Sequence, residues 1–371
     1  MGVLPFRFRN RDVARRLLAE IRLLAKELDD KIRIMTFCGT HEHTVMEWGI
    51  RWVMPENIDI VAGPGCPVCI TPAAYIDYCC RLALEDVTVY TYGDVYKVPG
   101  IRYSLAKARS MGGRVKVVYS FLDAINDAFK QDGECVFLAV GFETTQPSVS
   151  IRLLRGKVPR NLKILSAFRL TPPIMRYMLD RVKVRLDGVI APGHVSTIIG
   201  AGAWSFLPEE YGVPTVVAGF EPLDVLLAIR EILYMIVRGV PRLVNEYRRA
   251  VSWGGNRLAL ESMGKVFDIV DAYWRGIGSV PLSGLELKGR YRDYDARELF
   301  GDVDESVEAR IPGCRCSEVI LGLAKPVECP LFLKACTPEN PRGPCMVSSE
   351  GTCRIWAKFG GYSILKRMLK T

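Results

Sequence analysis

Apolar positions recur at helical spacing near the start of the chain. Val13, Leu17, Leu18, Ile21, Leu24 and Leu28 form one stripe, which predicts an amphipathic helix over 12–31. The pattern then changes to short apolar, β-rich runs, each closed by glycine or small polar residues. These fall at 32–37, 58–62, 87–91 and 115–119, and again at 135–140, 162–167, 188–191 and 215–218. Helical patterns separate them at 72–84, 104–111, 122–130, 173–182 and 223–237. Strands alternating with helices predict parallel sheets in an α/β fold.

The two series of strands look like a diverged duplication. Residues 58–66, IDIVAGPGC, resemble 186–194, LDGVIAPGH, and the polar turn after Phe37 has a counterpart after Val140. The expected organisation is a pair of similar doubly wound, Rossmann-like domains facing each other, 33–133 and 134–224. An N-terminal helical segment, 1–32, is expected to pack on a C-terminal domain, 225–371. That last domain reads as helical and irregular, because glycines, prolines and charges accumulate beyond about residue 240. Ligands of parallel sheets bind beyond the carboxyl ends of the strands, where the most unusual residues of this chain lie.

Those residues are cysteines and histidines. The chain has twelve cysteines and three histidines. So many thiols in a chain without a secretory leader point to metal or redox chemistry rather than a disulfide framework. In Cys38-Gly-Thr-His-Glu-His43, a thiol and two imidazoles (His41 and His43) follow a strand, a donor set that suits iron, zinc or copper, or a nucleophilic cysteine. Cys66 and Cys69 form a C-x-x-C ahead of a helix, where a thiolate is stabilised and disulfide exchange is easy. Glu143 in GFETT and His194 in PGHVS offer acid–base or supporting groups at two further strand ends. Six cysteines fall within forty residues: Cys314, Cys316, Cys329, Cys336, Cys345 and Cys353. Cys314, Cys329, Cys336 and Cys353 can ligate a 4Fe-4S cluster and leave Cys316 and Cys345 as a redox pair, although any four of the six could serve. The wide spacings argue against structural zinc, whose ligands come in tight pairs. Cys79, Cys80 and Cys135 lie among apolar residues and read as core.

Composition narrows the class without changing it. The chain is 49% hydrophobic and 25% charged, as expected of a globular protein. No apolar run reaches the ~18 residues that span a bilayer. Its greasiest stretch, 225–237, is interrupted by Arg230 and Glu231, so a cytoplasmic protein without a membrane partner is expected. The net charge of +9 comes from scattered lysines and arginines, and a cluster at Arg7, Arg9, Arg11, Arg15 and Arg16 reads as the solvated face of the first helix. No nucleic-acid motif accompanies the charge, so an acidic protein partner explains it better than nucleic acid does.

Taken together, CGTHEH at 38–43, GPGCPVC at 63–69, GFETT at 141–145, PGHVS at 192–196 and CTPENPRGPCMVSSEGTC at 336–353 resemble the HypD family of hydrogenase maturation factors. The resemblance spans nearly the whole chain. It implies a scaffold and redox participant, rather than a turnover enzyme, in building the iron centre of nickel–iron hydrogenases, whose iron carries two cyanides and one carbon monoxide. The partners implied are the small chaperone HypC, the cyanide carrier HypE and, indirectly, the hydrogenase large subunit. Cys38 becomes the iron ligand shared with HypC, with His41 beside it. By similarity to ferredoxin:thioredoxin reductase, electrons would run from a 4Fe-4S cluster through Cys316 and Cys345 to Cys66 and Cys69. Two rivals stand beside this reading: a thiol–disulfide oxidoreductase, which has no need of Cys38-x-x-His41, and a zinc-binding interaction module.

Overall fold

The computed structural model describes residues 8–309 and 311–361; Arg7 of the basic cluster lies outside them. Helix α1 (Arg11–Lys26) begins where the Asn10 side chain accepts the backbone N–H groups of Asp12 and Val13. It stops short of the stripe's expected end, because Asp29 and Asp30 would oppose the negative pole of a longer helix.

All eight expected strands form, each within a few residues of its expected bounds. They are β1 (Ile32–Cys38), β2 (Ile58–Gly65), β3 (Thr88–Tyr92), β4 (Val115–Val118), β5 (Cys135–Gly141), β6 (Leu162–Phe168), β7 (Gly188–Pro192) and β8 (Thr215–Ala218). A short β9 (Leu243–Asn245) joins them. They build two parallel sheets, ordered β2-β1-β7-β8-β9 and β4-β3-β5-β6.

This order corrects the expected division of the chain. Segment 33–133 forms no sheet of its own, and neither does 134–224. The four strands β3–β6 are an insertion between β2 and β7, and both flank β1 in the five-stranded sheet. The two resembling segments thus end on either side of β1 at one sheet edge instead of in two domains. β1 is a central strand, buried on both faces and hydrogen-bonded along both edges.

Alternation along the strands shows how the layers meet. Ile32, Ile34, Ile58, Ile60, Ile190 and Val216 point to one face of the five-stranded sheet, and Met35, Phe37, Val61, Val189 and Val217 to the other. In the four-stranded sheet, Val89, Val136, Leu138 and Leu165 join the same core as that second set, whereas Tyr90, Phe137 and Ile164 face away. One core therefore binds both sheets together, and the cysteine-rich lobe adds Cys329, Cys336, Cys345 and Cys353 to it.

Helix α1 and a later helix, Pro222–Arg238, cover the outer face of the five-stranded sheet through Leu17, Ile21, Ala25, Ile229 and Leu233. Burying Ile21 completely contributes ~1.5–3 kcal/mol. The N-terminal helix thus docks on the helix that opens the last segment, and not on the cysteine lobe. Beyond residue 240 the chain is also less irregular than expected. β10 (Phe267–Trp274) and β11 (Gly278–Leu287) form an antiparallel hairpin, turned through Gly276 at φ +71°. No helix among the described residues is long and apolar enough to cross a membrane.

Candidate functional site

At the carboxyl edge of the five-stranded sheet, Cys38 ends β1 in register with Gly65, which ends β2. Cys66 follows at once and is joined to Cys69 in a disulfide. A Cβ on Gly65 would lie 1.9 Å from the Phe37 carbonyl oxygen and 2.7 Å from the Cys38 Cα, so only glycine lets the two strand ends approach this closely. Cys38 also stands at the N-terminus of helix α2 (Gly39–Glu47), where the nearby backbone of Thr40 and His41 favours its thiolate. Burial, reinforced by the nearby Glu350 carboxylate, nevertheless pushes the thiol up to about 11. Glu350 comes from the cysteine lobe and packs on Gly39, where a Cβ would meet its carbonyl oxygen at 2.5 Å.

His41 is buried, and its Nε2 lies 2.9 Å from the Gly219 carbonyl and 3.2 Å from that of Ala218. Nε2 therefore carries the proton, and Nδ1 is left with a lone pair and no partner. Burial lowers this imidazole to about 4, which keeps it neutral. His194, exposed at its residue surface but likewise lowered by desolvation, follows β7. Both rings stack on Phe220, at 4.6 Å and 3.9 Å. His43 does not join them. It lies on the outer side of α2, with its ring 4.8 Å from that of Phe359 and its Nε2 3.7 Å from Glu47.

Glu143 sits beyond β5, at the edge of the other sheet, apart from the cysteines. Its Oε1 accepts the Thr171 N–H at 2.7 Å and the Thr171 hydroxyl at 3.1 Å, whereas Oε2 is buried without a partner beside an apolar pocket of ≈ 300 Å³. Burial pushes this carboxyl from 4.5 up to about 7. Because the folded protein favours the protonated form, the group's stabilising contribution is complete below about pH 4.5 and is lost as pH rises through about 7. Glu143→Gln is expected to remove that decline, a gain of about 3 kcal/mol at most at pH 8. Urea denaturation from pH 5 to pH 8 tests this, and an unchanged slope would refute it.

The six C-terminal cysteines gather in one lobe. Cys314, Cys316, Cys345 and Cys353 follow one another closely enough that each thiol perturbs its neighbour's ionisation. Backbone N–H groups already reach two sulfurs, Arg342 to Cys336 at 3.3 Å and Cys353 to Cys345 at 3.2 Å. Cys329 points instead to the Gly313 carbonyl, at 3.8 Å. A Cβ on Gly343 would fill the space 3.7 Å from the Cys314 sulfur and 3.9 Å from that of Cys316. Among the described residues, no group of three or more Cys, His, Asp or Glu side chains is arranged to hold a metal ion. The donor chemistry of the lobe, thiols with N–H groups directed at sulfur, suits an iron–sulfur cluster. A cleft of ≈ 840 Å³ places Cys69 on the same wall system as Cys314 and Cys316, with Arg275, Glu308 and Ser317. Cys79, Cys80 and Cys135 are buried in the core, as their neighbours implied.

Three contributors carried no sequence signal of their own: Arg275, which stands in no motif, Glu350, which lies within the 336–353 stretch without being one of its cysteines, and Phe220, which is one aromatic among many. Glu42 lay inside CGTHEH but gave no sign of its part in binding the lobe to the sheet. Its carboxylate accepts Arg51 at 2.7 Å and 2.8 Å and the Trp356 indole N–H at 2.7 Å.

Comparison with known proteins finds similar sequences across the chain. The HypD family model, described as "Hydrogenase formation hypA family", covers residues 12–360. A putative hydrogenase expression/formation protein of Methanocaldococcus jannaschii is 44% identical over 353 residues, 94% of this chain and 98% of that protein. The hydrogenase maturation factor HypD2 of Bradyrhizobium diazoefficiens is 42% identical over 369 residues, 96% of each chain. HypD of Cupriavidus necator is 38% identical over 367 residues, again 96% of each. With the family's motifs standing at the carboxyl edges of both sheets and the match running through the cysteine lobe, the chain belongs to the HypD family of hydrogenase maturation factors.

Proposed function

We propose that this protein holds an iron atom at Cys38 while two cyanides and one carbon monoxide are attached to it, in assembly of the iron centre of nickel–iron hydrogenases. The iron is cargo that passes through the site. The reading rests on the convergence of Cys38 with the Cys66–Cys69 pair at neighbouring strand ends, which brings a soft iron donor beside a thiol redox couple. His41 stays neutral next to it, with Nδ1 free to accept a proton or to turn toward the cargo. Opening the Cys66–Cys69 disulfide takes two electrons and two protons, and leaves two thiols for the cargo iron or its ligands. A HypC-type chaperone would supply the second thiolate to the iron, and a HypE-type protein the cyanide. The loaded chaperone would then pass the iron to the hydrogenase large subunit. A reducing cytoplasm suits a protein with this many open thiols.

Cys314, Cys329, Cys336 and Cys353 would hold a 4Fe-4S cluster, which supplies electrons one at a time at low potential. Cys316, in contact with Cys345 and facing the cleft that Cys69 also lines, is the thiol best placed to exchange with the disulfide. His194 and Glu143 serve as proton-holding groups at the two sheet edges.

The infrared spectrum of protein purified anaerobically with its small chaperone should contain cyanide and carbonyl bands from bound iron, and analysis should give about four further irons with matching sulfide. A second reading, a thiol–disulfide oxidoreductase, is favoured by the disulfide opening on the cysteine-lined cleft. Absence of the infrared bands together with reduction of protein disulfides would select that reading instead.

A further inference from the structure

Arg275 follows β10 and is anchored at two points. Its N–H donates to the Ile70 carbonyl at 2.8 Å, one residue beyond Cys69, and its Nη1 donates to Pro99 at 3.0 Å. Its side chain is 6% exposed, and Nη2 is buried with no hydrogen-bond partner. No carboxylate among the described residues forms an ion pair with it. Glu308 is near, but its Oε1 accepts the Gly276 N–H instead, at 3.2 Å. A guanidinium does not give up its proton, so this is a full positive charge held out of water, which costs several kcal/mol unless an anion completes it. The groups whose ionised forms would offset this charge are Cys316, Glu308, Cys314 and Asp77, and Arg275 lines the cleft together with the first three.

Thiolates bound to an iron–sulfur cluster carry that missing negative charge, and hydrogen bonds to their sulfurs are a principal control on cluster potential. We propose that Arg275 is a positioning residue for the cysteine lobe: its unpaired Nη2 donates to the sulfur of Cys314, and its buried charge favours the reduced, more negative form of the bound cluster. The same residue ties the lobe to the disulfide loop through Ile70, so the charge sits between the electron source and the pair to be opened. The inference rests on the cluster assignment made above.

The test begins with iron and sulfide content of anaerobically purified wild-type protein, since absence of a cluster there overturns the cluster assignment itself. With the cluster present, dithionite titrations followed by electron paramagnetic resonance compare wild type, Arg275→Gln and Arg275→Lys. The glutamine variant should keep its iron and sulfide but shift the reduction equilibrium about tenfold against reduction, 59 mV for a one-electron couple. The lysine variant, which keeps the charge, should stay near wild type. Equal potentials in all three proteins, or an equal shift in both variants, would overturn the proposal. Should the glutamine variant fail to accumulate, wild-type protein with ¹⁵N-labelled arginine provides an independent reading. A nitrogen coupling to the reduced cluster is expected, and its absence refutes the contact.

Discussion

Replacing Glu42 with alanine is expected to lower the free energy of unfolding by about 3–5 kcal/mol. The carboxylate is 1% exposed and Arg51 is 8% exposed. Around Glu42 stand Arg51 Nη2, which reaches both carboxylate oxygens, the Trp356 indole and the Thr36 hydroxyl, the last at 3.2 Å. Alanine removes the acceptor and leaves a buried guanidinium whose other partner is the Ile60 carbonyl, with its face over the Trp356 ring at 5.0 Å. An uncompensated charge of this kind weighs far more than the lost hydrogen bonds. Trp356→Phe removes one donor and keeps the ion pair, so its cost should be about 1–2 kcal/mol. Urea denaturation of the two variants measures the difference. A cost below 1 kcal/mol for Glu42→Ala would mean that water enters and replaces the carboxylate. Trp356 lies on the same helix, Thr352–Phe359, as Cys353, so the ion pair of CGTHEH also determines where the cysteine lobe sits.

Cys38→Ser is expected to abolish cargo iron. Loss of an outer partner of a metal ligand alone weakens binding 10–100-fold, and loss of the ligand itself should exceed about 100-fold. Serine is nearly isosteric and is a favoured residue at a helix N-cap, so the fold and the neighbouring disulfide should survive. The cyanide and carbonyl infrared bands of the chaperone complex should vanish, while thiol counting shows Cys66 and Cys69 unchanged. Bands that persist in the variant would move the iron to another residue, with His41 the first to examine.

The parallel strands were legible because each is a short apolar run closed by glycine or a small polar cluster, and sequence alone placed the motifs at strand ends. What it could not convey was which strands pair. The likeness of 58–66 to 186–194 implied two domains, whereas β2 and β7 pair with the two edges of β1 in one sheet. The hairpin at 267–287 was missed because its burial does not alternate cleanly: Phe267 and Trp274 are buried while Ile269 and Leu282 lie exposed. Motif reading brought Cys38, His41, Cys66 and Cys69 to one edge, and it also swept in His43, which helical phase turns away from that edge. Glu350 and Arg275 reach the site only through tertiary packing.

Insertion of β3–β6 between β2 and β7 has a consequence for synthesis. Ile34 pairs with Gly188, across 154 residues of chain. At a ribosomal rate of about 5–20 residues per second, β1 waits roughly 8–30 s for that partner. During this interval an apolar strand with an open hydrogen-bonding edge is outside the ribosome, while the inserted four-stranded sheet can already fold. Demand for a chaperone on the nascent chain should therefore be concentrated on residues 32–65, and should end when residues 188–192 emerge.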